Sequence, residues 1–135
     1  MRCSIFAASL MCVAGCAVPP ERVPLQRLPE NGPPLPYAEL LTRARAQATY
    51  ATESFYVDRW TDVEDAARGL EQTARFLGKA DDVPANRKDL IPRASSELAQ
   101  EARKLIEAAK AHNEKDTGVS LESIHRMVRQ LRLAD

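Results

Sequence analysis

Residues 61–78 of the chain read TDVEDAARGLEQTARFLG, and this stretch is the clearest indication of the fold class. Its apolar residues recur at steps of three and four, the spacing that places them on one face of an α-helix. Thr61 and Glu64 have the spacing of a capping box, so the helix is expected to begin there. Gly78 is the expected stop. The apolar face consists of Val63, Ala67, Leu70, Ala74 and Leu77.

Three further segments between residues 37 and 135 show the same spacing, and no segment alternates as a β-strand does. Short connections between amphipathic helices favour an antiparallel, up-down-up-down four-helix bundle, so the predicted class is all-α. Residues 37–135 suffice for one hydrophobic core and no second domain. The expected bounds are about Tyr37 to Val57 for the first segment, an opening around Asp89 to Arg93 for the third, and a start after Thr117-Gly118, capped by Ser120, for the fourth.

The segment before the bundle, residues 16–36, has a different composition. Seven of the nine prolines lie within residues 17–36. Because proline fixes φ and lacks an amide donor, this segment is expected to be an extended, semi-rigid linker. At about 3.1 Å per residue it could extend up to ~60 Å. A proline-motif ligand for a partner protein is the alternative interpretation.

The N-terminal residues 1–15 have the features of a signal peptide. A basic Arg2 precedes a mostly apolar run that is too short to span a bilayer. The run ends in Val13-Ala14-Gly15-Cys16, which resembles the lipobox of bacterial lipoproteins. The resemblance implies that Cys16 is lipidated, becomes the first mature residue and attaches the protein to a membrane. Alternatives are an ordinary secretory signal or a short anchor that is never cleaved.

The lipobox resemblance also implies a location and a cysteine count. Ala17, rather than aspartate, after the lipidated cysteine favours the outer membrane of the bacterial cell envelope, with the domain facing the periplasm. Cys3 and Cys12 would leave with the signal peptide, so the mature chain would keep no free thiol. Disulfides, thiolate metal sites and covalent haem attachment are then excluded. The formal net charge of +0 gives no indication of nucleic-acid binding.

His125 is the polar residue that the helical pattern places closest to the core. It lies about 40° from Leu121 around the fourth helix, at the edge of the apolar face, and Arg129 follows one turn later. A bundle whose last helix carries histidine and then arginine resembles cytochrome c-prime and the soluble four-helix cytochromes b. In the c-prime motif Cys-x-x-Cys-His-x-x-aromatic-Arg, Leu121 and Ile124 stand in place of the cysteines, and Val128 stands near the aromatic residue.

The resemblance implies a haem hypothesis without a covalent bond. Haem b would take His125 as an axial ligand, with Arg126 or Arg129 paired to the propionates and His112 as a conceivable second ligand. The competing interpretation is a haem-free bundle in which His125 is a boundary residue. Glu122 and His125 also have the spacing of half a di-iron site, but no second half exists, so no metal site is assigned.

Two groups of side chains have both a structural and a binding interpretation. Aromatic residues at the first interhelix junction either plug the end of the bundle or form a binding patch. Arginines along the fourth helix either form a solvated face or recognise anionic headgroups or a partner's carboxylates. The aromatic group is Phe55, Tyr56 and Trp60, and the arginine series is Arg126, Arg129 and Arg132.

No catalytic residue is assigned, because the sequence contains no Gly-x-Ser-x-Gly elbow, no His-Glu-x-x-His and no phosphate-binding glycine loop. We therefore predict a non-enzymatic, lipid-anchored helical-bundle protein with a binding or structural role. Its partners would be the membrane, through Cys16, and a periplasmic protein. The alternative is a haem b binding or electron-transfer protein with His125 as ligand.

Overall fold

The computed structural model describes residues 25–132, and these form four α-helices without any strand. The lipobox, Cys16 and the signal peptide lie outside the described residues. The prediction of an all-α four-helix bundle is confirmed. The helices are α1 (Tyr37–Tyr56), α2 (Trp60–Leu77), α3 (Ile91–Lys110) and α4 (Glu114–Arg132), with a 3-10 turn at Ala85–Arg87 between α2 and α3.

The four helices pack in chain order, and α1 closes the bundle against α4. The hydroxyl of Tyr37, the first residue of α1, donates to the carbonyl oxygen of Leu131 near the end of α4 (3.4 Å). At the other end, Trp60 at the start of α2 stacks on His112, just after α3, with ring centroids 4.9 Å apart. Both contacts join the beginning of one helix to the end of another, which is the arrangement of antiparallel neighbours.

The core combines leucines with alanines. Small residues on facing helices allow the backbones to approach closely, and each fully buried leucine contributes about 1.5–3 kcal/mol through removal from water. The largest fully buried apolar side chains are Leu40, Leu70, Leu77, Leu98, Leu105, Ile124 and Val63.

The capping-box prediction for α2 was wrong. The helix begins at Trp60, and its capping position is Arg59, whose side chain makes no capping hydrogen bond. The Glu64 carboxylate is instead drawn to Arg68 one turn later, at 2.9 Å. The predicted stop is confirmed, because the helix ends at Leu77 and Gly78 follows it.

The predicted start of α4 was also wrong, because the helix begins at Glu114, one turn earlier. The side-chain oxygen of Asn113 accepts the backbone N–H of Asp116 (3.1 Å), which is the bond of a helix N-cap. The backbone oxygen of Asn113 accepts the N–H of Thr117 (2.9 Å). Gly118 therefore lies inside the helix rather than before it.

Side chains from the α2–α3 connection hold two helix ends. Asp82 accepts the backbone N–H of Tyr37 with both carboxylate oxygens (2.8 and 3.1 Å), and so caps α1 from outside the helix. Arg87 is almost fully buried and donates to the carbonyl oxygen of Leu131 (3.0 Å). A cation at the carboxyl end of α4 is stabilised by the partial negative charge there.

The end of the proline-rich linker lies against the bundle. The amide of Gln72 on α2 binds the backbone of Leu28 in both directions, accepting its N–H (2.8 Å) and donating to its carbonyl oxygen (2.7 Å). Gln72 also donates to Glu30 (2.9 Å), which pairs with Arg75 (3.1 Å). The described end of the predicted linker is therefore held against α2, because the buried side chain of Gln72 binds its backbone.

Among residues 25–132, no helix combines the length and the apolar character that a membrane crossing requires.

Candidate functional site

His125 lies half-buried in the seam between α1 and α4. Its Nε2 is 2.8 Å from the hydroxyl oxygen of Thr52 on α1. That hydroxyl also lies 3.0 Å from the carbonyl oxygen of Ala48, to which it donates its single proton. Since the hydroxyl proton is then used, Nε2–H is the donor to Thr52. This bond fixes the orientation of the imidazole ring and leaves Nδ1 on the other side of the ring.

A small cavity of about 200 Å³ opens beside His125. Its lining is strongly cationic: Arg45 extends from α1, two turns before Thr52, and Arg129 follows His125 by one turn of α4. Within the part of the chain that the structure describes, none of the three arginines in the lining forms an ion pair. The lining residues are Arg45, His125, Val128, Arg129 and Arg132.

The electrostatic environment of His125 opposes a further positive charge. Burial lowers the pKa of the His125 imidazole below its usual value of 6.5, and the nearby Arg129 guanidinium lowers this pKa further. The neutral imidazole is therefore favoured near pH 7. An anion in the cavity would oppose the effect of Arg129 and raise the pKa of His125, because it would stabilise the protonated ring.

The structure separates the four residues of the haem hypothesis. Arg129 lines the cavity with His125, whereas Arg126 is exposed and its Nη2 lies 3.5 Å from the Ser123 hydroxyl oxygen. His112 is also exposed and stacks on Trp60 at the end of the bundle. It precedes α4, so it lies roughly 16 Å from His125 along the helix axis at 1.5 Å per residue. The two histidines cannot be axial ligands of one haem in this arrangement.

The surroundings of His125 do not fit a haem. Pockets for drug-sized ligands measure about 300–1,000 Å³ and are mostly apolar. The cavity beside His125 is smaller, at about 200 Å³, and three of its five lining residues are arginines. Nε2, one of the two imidazole nitrogens that could bind iron, is engaged with Thr52. The arrangement suits a small, charged ligand better than a broad apolar ring.

A larger groove of about 810 Å³ lies between the end of the linker and helices α1 and α2. Its lining includes the small residues Ala46, Ala66 and Gly69. Three of its lining residues are charged. Arg27 and Asp65 lie 3.5 Å apart and partly neutralise each other, and Arg45 also lines the cavity beside His125. The groove is thus lined by charges of both signs, whereas the charged residues that line the cavity at His125 are all arginines. The cavity at His125 is therefore the more specific candidate site.

Metal ligands are not grouped in the described part of the chain. Between residues 25 and 132, no three histidine, cysteine, aspartate or glutamate side chains are placed to share an ion. Glu122 is exposed on α4, whereas His125 points into the seam between α1 and α4.

Two residues of the site, Arg45 and Thr52, were missed in the sequence. They are seven residues apart, so they lie on one face of α1. This face is not strongly apolar, and its residue pattern indicates exposure to solvent. Only the pairing of α1 with α4 places them beside His125. Arg132, in contrast, already belonged to the predicted arginine series.

Comparison with protein families, curated proteins and solved structures found no significant match for this chain.

Proposed function

We propose that this chain is a lipid-anchored periplasmic protein that binds an oxyanion, a phosphate or a carboxylate, in the cavity beside His125. The lipobox-like Val13-Ala14-Gly15-Cys16 supports attachment through an acylated Cys16. The cationic lining of the cavity is the observation that carries the binding role. The oxyanion would be a small ligand or a side chain of a periplasmic partner.

Arginine suits this role because its planar guanidinium binds carboxylate and phosphate groups through two parallel hydrogen bonds. Arg45 and Arg129 approach the cavity from different helices, so one oxyanion could bridge α1 and α4. A catalytic role has less support, since His125 is the only lining side chain whose usual pKa lies near neutral pH. We therefore favour binding over catalysis.

The test is a phosphate titration followed through the imidazole NMR signals of His125. Bound phosphate should raise the pKa of His125, because a negative charge beside the ring stabilises its protonated form. Arg129→Gln should weaken this response. Arg126→Gln is the matched control, because Arg126 is on the same helix but outside the cavity lining, and it should respond as the original protein does.

Two outcomes would contradict the binding proposal. In one, the His125 signals do not change at any phosphate concentration in the titration. In the other, Arg126→Gln and Arg129→Gln reduce the response equally, which would indicate non-specific attraction of the anion by the positive surface of α4.

A further inference from the structure

One end of the bundle presents aromatic and apolar side chains to solvent. Phe55 and Trp60 are half-buried, with ring centroids 5.7 Å apart, and Trp60 stacks on His112. The Tyr56 ring lies 5.8 Å from that of Phe55, and Tyr56 and Val57 are the most exposed members of the group, with exposed fractions of 78% and 58%. Phe55, Tyr56, Val57 and Trp60 together form the aromatic end of the bundle. Part of the predicted plug is thus packed against the core, and part of it forms a patch.

The backbone at the aromatic end is turned tightly and is hydrogen-bonded. The N–H groups of Val57 and Arg59 donate to the carbonyl oxygen of Ser54 (3.3 and 2.9 Å), and that of Asp58 donates to Phe55 (3.2 Å). Asp58 has a φ of 57°, the left-handed conformation that aspartate tolerates better than most residues. These three amide donors would therefore remain hydrogen-bonded in an environment with little water.

The N-terminal segment runs toward the aromatic end. Counting back from α1, the backbone of Leu28 is bound at Gln72, and Arg27 reaches Asp65, nearer the start of α2. Asp65 is five residues after Trp60, about 7.5 Å along the helix axis. Leu25, 42% exposed, lines the same groove as Asp65.

The place where the described chain begins indicates which end of the bundle lies nearer to Cys16. Cys16 precedes Leu25 by nine residues, and a segment of this length would span about 28 Å if it were extended at 3.1 Å per residue. The opposite end of α2, at Leu77, lies roughly 18 Å beyond Asp65, in the direction away from the aromatic end. A segment of this length could reach either end of α2, but the described chain begins beside Asp65, about 7.5 Å from Trp60 and about 18 Å from Leu77 along the helix axis. Acyl chains on Cys16 would therefore lie nearer to the aromatic end.

We propose that the aromatic end rests in the interfacial region of the bilayer that holds the acylated Cys16, with Tyr56 and Val57 inserted. This rests on the proposed lipid anchor. Tyrosine and tryptophan favour this region because they combine an apolar ring with a polar group. Charges of both signs flank the patch, since Arg59 pairs with Asp62 (3.3 Å) next to Asp58. The surface that fits is therefore zwitterionic lipid, without a requirement for anionic headgroups.

Trp60 is the only tryptophan of the chain, so its fluorescence reports on the aromatic end alone. The full-length acylated protein would be reconstituted in phosphatidylcholine vesicles with and without brominated acyl chains. We expect a blue shift of the Trp60 emission and quenching by bromine. The double variant Tyr56→Ser/Val57→Ser should lose most of the quenching while it still floats with the vesicles. Leu90→Ser, which changes an exposed apolar residue before α3 at the opposite end, should retain it.

Flotation and mass spectrometry separate the two proposals. Acylated protein that floats with vesicles but shows no quenching of Trp60 would overturn the placement of the aromatic end and leave the lipid anchor intact. Equal quenching in the double variant would also overturn it. A chain without acyl groups, which does not float and behaves like Cys16→Ser, would overturn the lipid anchor and, with it, this inference.

Discussion

The hydrogen bond between His125 and Thr52 places a titratable ring where its positive charge is unfavourable. Burial and then Arg129 lower the pKa of His125 below 6.5, the value that the unfolded chain approaches. Between these two pKa values the unfolded chain binds more protons than the folded one. The free energy of unfolding should therefore fall as pH decreases from about 7 through this window, and His125 contributes no pH dependence above it.

The pH dependence is measured by urea unfolding at a series of pH values. His125→Gln should remove the part of the pH dependence that this ring causes, since glutamine keeps a donor for Thr52 but does not titrate. His112→Gln, which changes the exposed histidine, should keep the His125 contribution. A stability that rises as pH falls through this window in the original protein, and not in His125→Gln, would show that the pKa is raised instead.

Gly118 and Gly69 lie inside helices but in different surroundings. A Cβ at Gly118 would meet nothing within 4 Å, whereas one at Gly69 would lie 2.7 Å from Nε2 of Gln47. Glycine inside a helix costs about 0.5–1 kcal/mol relative to alanine. Gly118→Ala should therefore stabilise the protein by about that amount, which corresponds to about 4–8 °C per kcal/mol in Tm for a domain of this size.

Gly69→Ala is the comparison for this prediction, and it should not stabilise. Gln47 cannot move freely because its Oε1 accepts the hydroxyl proton of Thr73 (2.9 Å) inside the bundle. Thermal unfolding of both variants measures the difference. Equal gains in Tm would mean that the Gln47 side chain moves aside at no cost and that its hydrogen bond to Thr73 does not hold it in place.

At the level of elements, Gln72 attaches the linker to α2. Gln72→Leu would remove the two bonds to the Leu28 backbone and the bond to Glu30. Hydrogen bonds of this kind contribute about 0.5–1.5 kcal/mol each, so the loss of three bonds should lower the free energy of unfolding by about 1.5–4.5 kcal/mol. The released segment should also become a substrate for trypsin after Arg27.

Gln100→Leu is the matched control, because Gln100 is an exposed glutamine in the middle of α3. Limited proteolysis with mass spectrometry gives the rate of cleavage after Arg27 in each variant. If Gln72→Leu and the original protein are cleaved there at the same rate, the hydrogen bonds of Gln72 do not hold the linker.

The helices could be predicted where their signals are local. Periodicity placed α1 and α2 within about one residue of their observed bounds, and Gly78 marked a true end. The start of α4 was missed because glycine and serine, here Gly118 and Ser120, are typical of helix boundaries, whereas the helix begins at Glu114. Asn113, followed by Glu114 and Asp116, was the capping signal that the structure uses.

Polar contacts between distant residues could not be predicted in this way. Gln72 binds Leu28 across 44 positions, and Asp82 caps Tyr37 across 45. In the helical pattern Gln72 is one more residue at the polar boundary, because its partner comes from outside the helix. The candidate site shows the same division: His125 followed from periodicity, whereas Arg45 required the pairing of α1 with α4.

At the scale of the whole molecule, the bundle is closed around a filled core. Leu98, Leu105 and Ile124, which face the interior from α3 and α4, are fully buried. A porphyrin between the helices would have to displace such side chains, and removing a buried leucine from its contacts costs about 2–5 kcal/mol. The charged cavity outside this core lacks the size and the apolar walls of a haem pocket.

Titration with haemin, followed by absorption, tests whether the filled core excludes haem. We expect weak, unsaturable binding that is the same in His125→Ala, because the contacts would be those of a hydrophobic ring on a protein surface. The matched variant His112→Ala should behave alike, since neither histidine would be an axial ligand. A sharp Soret band at one haem per chain, lost in His125→Ala and kept in His112→Ala, would contradict the prediction. It would mean that α1 and α4 separate to admit the ring, and His125 would then be the ligand of a b-type haem.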